Sequence, residues 1–319
     1  MLNLYGCRLE ACINRIRPKV SGTFRLEDLF GPTGLRVGFG TNRLGSLTRK
    51  ERERLLGRVW ELGVRHFDTA PLYCGGDSET WLGEFLANDR KTATITTKCG
   101  LQPSLSRRFR ALRNLARLSR RWAGPLANIS FSLNRKTREN VPPPAKARSI
   151  AEYRAIASMM AASLDASLSK LRREFVDVLA VHEPERGILE ADEVLAQLTK
   201  ARDAGKTRAI AAAGHFNGLY DIAKSGRWPL DLYQFEHDAL GSNMTRWLAA
   251  GFGPPILFGA AAAASGTPGD NRVGSPRSSP SFKINAALDA NRGGLVLFST
   301  TKIAHAEEVL SLAGQNCAR

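Results

Sequence analysis

Four ionisable side chains stand where short apolar runs end. The segment GVRHFDTAPLYCGGDSETWLG, residues 63–83, places the carboxyl of Asp68 at the end of one run and the phenol of Tyr73 five residues later in a turn. The run TATITTK ends in Lys98, and FVDVLAVH ends in His182. Alone, the Asp reads as a cap or turn former and the Tyr as a packed ring with a wet hydroxyl. Together they are a carboxylate, a phenol, an ammonium and an imidazole, the groups from which general acid–base chemistry is assembled, provided the fold brings them to one place.

The elements around them supply such a fold. Eight β-branched or apolar runs alternate with helical patterns: Leu35 to Phe39, Arg65 to Asp68, Thr92 to Thr97, Phe175 to Val181, Thr207 to Ala212, Leu230 to Phe235, Pro255 to Phe258 and Gly294 to Ser299. Thr48 with Glu51, and Ser149 with Glu152, are capping boxes, and Gly63 stands where a helix should end. A helix is expected from about Ile150 to Arg173, with Ile156, Met159, Met160, Leu164, Leu168 and Leu171 on its apolar stripe, and another from Ala191 to Ala204, ending at Gly205. This alternation predicts an α/β chain folded as a single (β/α)8 TIM barrel over residues 1–319. Loops after the strands then form the active face, so Asp68, Tyr73, Lys98 and His182 converge on one mouth.

At this point the sequence resembles the aldo-keto reductase family, in FDTAPLY followed by Ser78-Glu79 and Leu82-Gly83. The resemblance extends through GPTGLRVGFGTNRLG (31–45), TTKCG (96–100), SLDASLSKLRREFVDVLAVHEP (163–184), AGKTRAIA (204–211), LYQFE (232–236) and LFSTTKIAHAEE (297–308). It implies hydride transfer between NADP(H) and an aldehyde or ketone, or the corresponding alcohol. Tyr73 is then the general acid, because an alkoxide must be protonated as it forms. Lys98 is expected to lower the phenol's pKa, Asp68 to hold Lys98 charged and aimed, and His182 to donate a hydrogen bond to the carbonyl oxygen. The alternative is a barrel with little turnover that senses cofactor or binds a partner through a basic lid.

The resemblance also assigns cofactor contacts. Gly40, Thr41 and Asn42 follow the first strand, and Asp68 borders the same site. Gln234 matches the residue that holds the carboxamide, whereas the fifth strand ends AAAGHF, with Ala213, Gly214 and His215 where hydrogen-bonding side chains are expected. Phe258 stands where a tyrosine would stack on the nicotinamide. Thr300, Thr301 and Lys302 resemble the site for the adenosine 2′-phosphate, with His305 in place of an arginine. A lysine and two hydroxyls still favour NADPH over NADH.

Composition sets the wider limits. The chain has 319 residues, 43% hydrophobic and 24% charged, which excludes wholesale disorder and a collagen-like fibre. Lys and Arg number 46 against 30 Asp and Glu, a net charge of +16, and residues 101–150 hold twelve of the basic residues with one acid, Glu139. This basic insertion, 101–149 after the third strand, contains an amphipathic pattern with Arg107, Arg110, Arg113 and Arg117 on one face. Such a lid suits a small-molecule carbonyl substrate, with an anionic or carrier-bound form as its sharper reading; nucleic acid is the weaker partner. A second Gly-, Ser- and Pro-rich connection runs from Ser265 to Ser281. Five scattered cysteines (7, 12, 74, 99 and 317) form no zinc-like set, so no metal is expected, and Cys74 and Cys99 read as small packing residues. The N-terminus lacks the apolar run of a signal peptide, and Pro254 to Ala264 is too short to span a bilayer. A cytoplasmic protein is expected.

Overall fold

A computed structural model describes residues 24–87, 90–100, 148–238, 240–262 and 279–317. Eight parallel strands close in sequential order into a barrel: β1 Val37–Gly40, β2 His66–Asp68, β3 Thr94–Cys99, β4 Val176–His182, β5 Thr207–Gly214, β6 Leu232–Glu236, β7 Ile256–Phe258 and β8 Leu295–Phe298. Around them lie α1 Arg49–Glu61, α2 Ser78–Leu86, α3 Ile150–Leu171, α4 Asp192–Asp203, α5 Phe216–Ser225, α6 Ser242–Ala249, α7 Pro280–Ala290 and α8 Ile303–Cys317. The (β/α)8 architecture expected from the sequence is the one observed. Of the basic insertion 101–149, residues 101–147 lie outside the described residues, as does most of the 265–281 connection. No helix among the described residues is long and apolar enough to cross a membrane.

Strand alternation divides the core into two layers. Outward-facing Phe67, Ile95, Leu179, Val181, Ile210, Phe235, Val296 and Phe298 pack against the helices. Inward-facing Val178, Ala180, Ala209, Ala211, Ala213, Leu232, Ile256, Leu295 and Leu297 fill the barrel. Its lower end is closed by Leu26, Leu29 and Phe30 from the turn Leu26–Leu29, which belong to the same inner cluster.

The helices start and stop where their sequences dictate. Thr48 accepts from the Glu51 amide while the Glu51 carboxylate accepts from the Thr48 amide, and Ser149 and Glu152 do the same, each cap contributing about 1 kcal/mol. Gly63 follows α1 at φ 97°, a left-handed conformation that costs glycine nothing. The buried stripe of α3 is Tyr153, Ala157, Met160, Leu164, Leu168 and Leu171. Met159, placed on that stripe from sequence, is exposed, because it stands one position off the three- and four-residue spacing. Where α2 crosses α3, Gly83 lies against the backbone of Lys170 and Leu171, and any Cβ there would collide with it.

Candidate active site

The same alternation that builds the core aims the chemistry. Asp68 lies two residues after His66 on β2, Lys98 two after Thr96 on β3, and His182 two after Ala180 on β4, so all three point inward at the upper end. Across the barrel, β6 contributes Gln234, paired in register with Ala213 of β5 and Ile256 of β7. Tyr73 comes from a turn instead: its amide donates to the Ala70 carbonyl (3.0 Å), with Pro71 as the turn's second residue.

These five side chains line a cavity of about 740 Å³. The Lys98 ammonium, 1% exposed, donates to both Asp68 oxygens at 2.7 Å and to the Thr69 carbonyl at 3.0 Å. It lies 4.8 Å from the centroid of the Tyr73 ring, and the rings of Tyr73 and His182 meet edge to face at 6.0 Å. Gln234 Nε2 donates to Asp68 Oδ2 at 3.1 Å, while Gln234 Oε1, buried beside the cavity, has no partner.

Burial and charge act against each other here. Burial alone would push the Lys98 ammonium down, but Asp68 and Tyr73 outweigh it and its pKa is raised. For Tyr73 the order is reversed. Burial raises the phenol above its usual value and outweighs the lowering field of Lys98, so the net direction is opposite to the one expected from sequence. The phenol is therefore held protonated. His182 is depressed to about 3 by burial and by the charges of Lys98 and Arg148, so it presents a neutral imidazole.

Beneath the ion pair lies a buried polar layer that sequence inspection missed. His66 Nδ1 is 3.0 Å from Thr94 Oγ1, and His66 Nε2 is 3.2 Å from Thr96 Oγ1. Thr94 gives its own proton to the Leu29 carbonyl at 3.0 Å, so Nδ1 must carry the imidazole hydrogen and Nε2 must accept from Thr96. His66 is depressed to about 3 by burial and then by Lys98. The ring fits because Gly38 faces it: a Cβ there would lie 2.9 Å from His66 Cδ2.

The two depressed imidazoles make stability pH-dependent with a definite sign. An unfolded histidine takes up a proton near pH ~6.5, whereas these two stay neutral in the native state until about pH 3. The unfolded state binds more protons throughout that window, so stability falls as pH drops through it, by about 1.4 kcal/mol per unit for each group. Denaturation midpoints measured between pH 7.5 and 4.5 should fall steeply, and His66→Gln should remove one imidazole's share of that slope, leaving the shares of His182 and of His237, whose pKa burial also lowers. An unchanged slope in His66→Gln would mean that the imidazole is charged in the native barrel.

The residues assigned to a cofactor from sequence divide into two groups. Gly40, Asn42, Gly214, His215, Gln234, Phe258, Thr300 and His305 line the cavity together with Asp68. Thr41 does not: it is fully buried behind the wall, with its hydroxyl given to the Asp68 carbonyl at 3.0 Å. Thr301 and Lys302 also lie off the lining. Lys302 is exposed, and its amide donates to Thr300 Oγ1 at 3.1 Å. Cavity residues not foreseen include Arg43, Glu183 and Ser299, and the wall formed by Pro280 and Ile284 of α7 with Val309 of α8. Arg43 and Ser299 adjoin assigned positions, which was a usable signal. The α7–α8 wall is joined only by tertiary packing. Cys99 is buried in the outer layer with its thiol pushed up to about 12. Cys74 is only half-buried and sits in the turn Tyr73–Gly75 at φ 56°, so the reading of a buried packing residue holds for Cys99 alone.

Comparison with known proteins bears on the fold and the family. L-galactose dehydrogenase of Arabidopsis thaliana is 28% identical over 196 residues, covering 58% of this chain and 47% of that protein. The matched segments span about half the length, or less, of the curated relatives. Among solved structures, an aldo-keto reductase from Bacillus halodurans in its holo form superposes with a TM-score of 0.58 at 16% identity, covering 91% of this chain and 95% of that one. An aldo-keto reductase from Klebsiella pneumoniae in complex with NADPH gives 0.51 at 15% identity, covering 87% and 85%. The model of the Aldo/keto reductase family matches residues 36–249, about two thirds of the sequence, and the chain belongs to that family.

Proposed function

We propose that the cavity binds a nicotinamide dinucleotide and that the protein interconverts a small carbonyl compound and its alcohol, with Tyr73 as general acid and base. The observation that carries this reading is the meeting of Tyr73, Lys98, Asp68 and His182 in one cavity beside Gln234, which donates to Asp68 through Nε2 and keeps a buried, partnerless Oε1. That oxygen fits the N–H of a carboxamide, and Phe258, two residues beyond its register partner Ile256 on β7, lines the same cavity with a ring that could stack on the nicotinamide. Two glycines keep backbone walls open: a Cβ on Gly40 would meet Ser299 Oγ at 2.5 Å, and one on Gly214 would meet Glu183 Cα at 2.9 Å. The nicotinamide, when bound, supplies the hydride.

The chain's own residues handle the oxygen. The neutral His182 imidazole donates a hydrogen bond to it, which orients the substrate and stabilises developing negative charge without adding a second cation beside Lys98. The Tyr73 hydroxyl gives its proton to the alkoxide, and Lys98 stabilises the phenolate left behind. Asp68 keeps Lys98 charged in a site that would otherwise neutralise it. For alcohol oxidation the proton runs back to Tyr73.

NADPH is the preferred nucleotide, because exposed Lys302 projects from the same turn as Thr300 and one helical turn before His305. Titrating the protein with NADPH and NADH at low salt, followed by quenching of tryptophan fluorescence, should give saturable micromolar binding of NADPH and weaker binding of NADH. Lys302→Ala should narrow the difference by roughly tenfold. Absence of binding by either nucleotide up to millimolar concentration would overturn the reductase reading.

A further inference from the structure

Behind the cavity wall, three hydroxyls form a chain whose direction can be deduced. Thr41, Thr69 and Ser78 are each fully buried, at 0% exposure. Thr41 Oγ1 lies 3.0 Å from the Asp68 carbonyl oxygen, which can only accept, so the single Thr41 proton is used there. Ser78 Oγ, 2.7 Å from Thr41 Oγ1, must then donate to it. Thr69 Oγ1, 3.1 Å from Ser78 Oγ, has one arrangement left and donates to Ser78. The protons run one way, from Thr69 through Ser78 and Thr41 to the Asp68 carbonyl.

The chain joins three places that must keep register. Thr41 follows β1, Asp68 ends β2 with Thr69 directly after it, and Ser78 opens α2 directly after the loop that carries Tyr73. The two ends fall on consecutive residues. Asp68 gives its carboxylate to Lys98 and its carbonyl to Thr41, while Thr69 gives its carbonyl to Lys98 (3.0 Å) and its hydroxyl to Ser78. The Tyr73 loop is thus fixed at its far end by Ser78. Near its middle the Cys74 thiol approaches the Thr41 and Asn42 carbonyls at 3.4 Å, on the same exit from β1.

We propose that Thr41, Ser78 and Thr69 are positioning residues that set the placement of Tyr73 relative to Lys98 through this hydroxyl relay. None of the three reaches the cavity lining, and the proton they handle is not the one transferred. Their effect is geometric: the relay fixes where the Asp68–Thr69 peptide and the start of α2 stand, and the eight-residue loop between them (70–77) is held at both ends by it and near its middle by the Cys74 contacts with the exit from β1. A misplacement of an ångström at a reacting group costs up to about a hundredfold in rate.

The proposal rests on the reductase reading for its kinetic consequence, so the test pairs kinetics with a measurement that needs no turnover. Thr41→Val keeps shape and removes the hydroxyl, Ser78→Ala breaks the middle of the relay, and Thr41→Ser restores a donor. With NADPH and 4-nitrobenzaldehyde as probes, kcat should fall about tenfold in Thr41→Val and Ser78→Ala, while KM and nucleotide Kd stay within about twofold. In the nucleotide-free proteins, labelled with 13C at the tyrosine Cζ and assigned with Tyr73→Phe, the Tyr73 resonance should titrate about one pH unit higher than in the wild type, because a displaced phenol loses the field of Lys98 and keeps its burial. Thr41→Ser should recover both properties.

Folded variants in which Tyr73 titrates as in the wild type would overturn the proposal, and so would a Thr41→Ser protein as impaired as Thr41→Val. Should Thr41→Val, Ser78→Ala and Thr69→Val all fail to fold, the relay is a stability element and the proposal falls. A wild type without turnover or nucleotide binding counts against the reductase reading alone, since the Tyr73 titration still decides the relay.

Discussion

Tyr73→Phe should lower carbonyl reduction by about 10³-fold while leaving NADPH binding within a factor of about two. The substitution removes a single oxygen at the rim of the site. The ring's edge-to-face contact with His182, at 6.0 Å between centroids, is retained, and no cavity is opened. What is lost is the hydroxyl of the ring that meets both the Lys98 ammonium and the imidazole of His182. A rate carried by solvent protonation would survive the change, and a residual rate above about a tenth of wild type would remove Tyr73 from the reaction.

The direction of the Tyr73 shift bears on which half-reaction this site favours at rest. Burial keeps the phenol protonated against the field of Lys98. In the proposed reaction a protonated donor next to a neutral His182 is the state required before reduction, and oxidation needs the phenolate, which must first be formed against that burial. Oxidation should therefore gain from alkaline pH, and reduction should not.

The fold was readable because it rests on two periodicities. The run ending in Asp68, TATITTK ending in Lys98 and FVDVLAVH ending in His182 placed the three side chains at the strand ends, and strand alternation in the structure turns them all inward. Capping boxes at Thr48 and Ser149 fixed helix starts to the residue. Features that depend on a third partner were not readable. Thr41 looked like a cofactor contact because it sits between Gly40 and Asn42, and only the arrival of Ser78 from another element turns its hydroxyl away from the cavity. His66 gave no signal at all, since a histidine inside a strand reads equally as exposed or buried. Its two threonine partners lie on the neighbouring strand, and its acceptor chain ends on Leu29, almost forty residues upstream. The sign of the Tyr73 shift also needed coordinates, because it depends on how much water reaches the ring, and sequence shows only the neighbouring charge.

The largest structural effect should come from breaking the Asp68–Lys98 pair on one side. Both groups are nearly inaccessible, at 5% and 1% exposure, so Lys98→Met strands a carboxylate whose remaining side-chain donor is Gln234. Removing one partner from a buried ion pair costs about 3–5 kcal/mol, most of it the penalty of the charge left behind. Replacing both partners costs much less. In Asp68→Asn combined with Lys98→Met no charge is buried, the Asn oxygen can still accept from Gln234 Nε2, and the Met chain fills the space of the lysine stem. The double variant should recover to within about 1–2 kcal/mol of wild type in denaturant titrations. Its turnover should stay as low as that of Lys98→Met, because Tyr73 then has burial without a compensating cation. Stability and activity would thus separate in one pair of proteins. A Lys98→Met protein as stable as wild type would mean that the carboxylate is hydrated or neutral, and a double variant that regained turnover would show that the cation has no part in holding the phenolate.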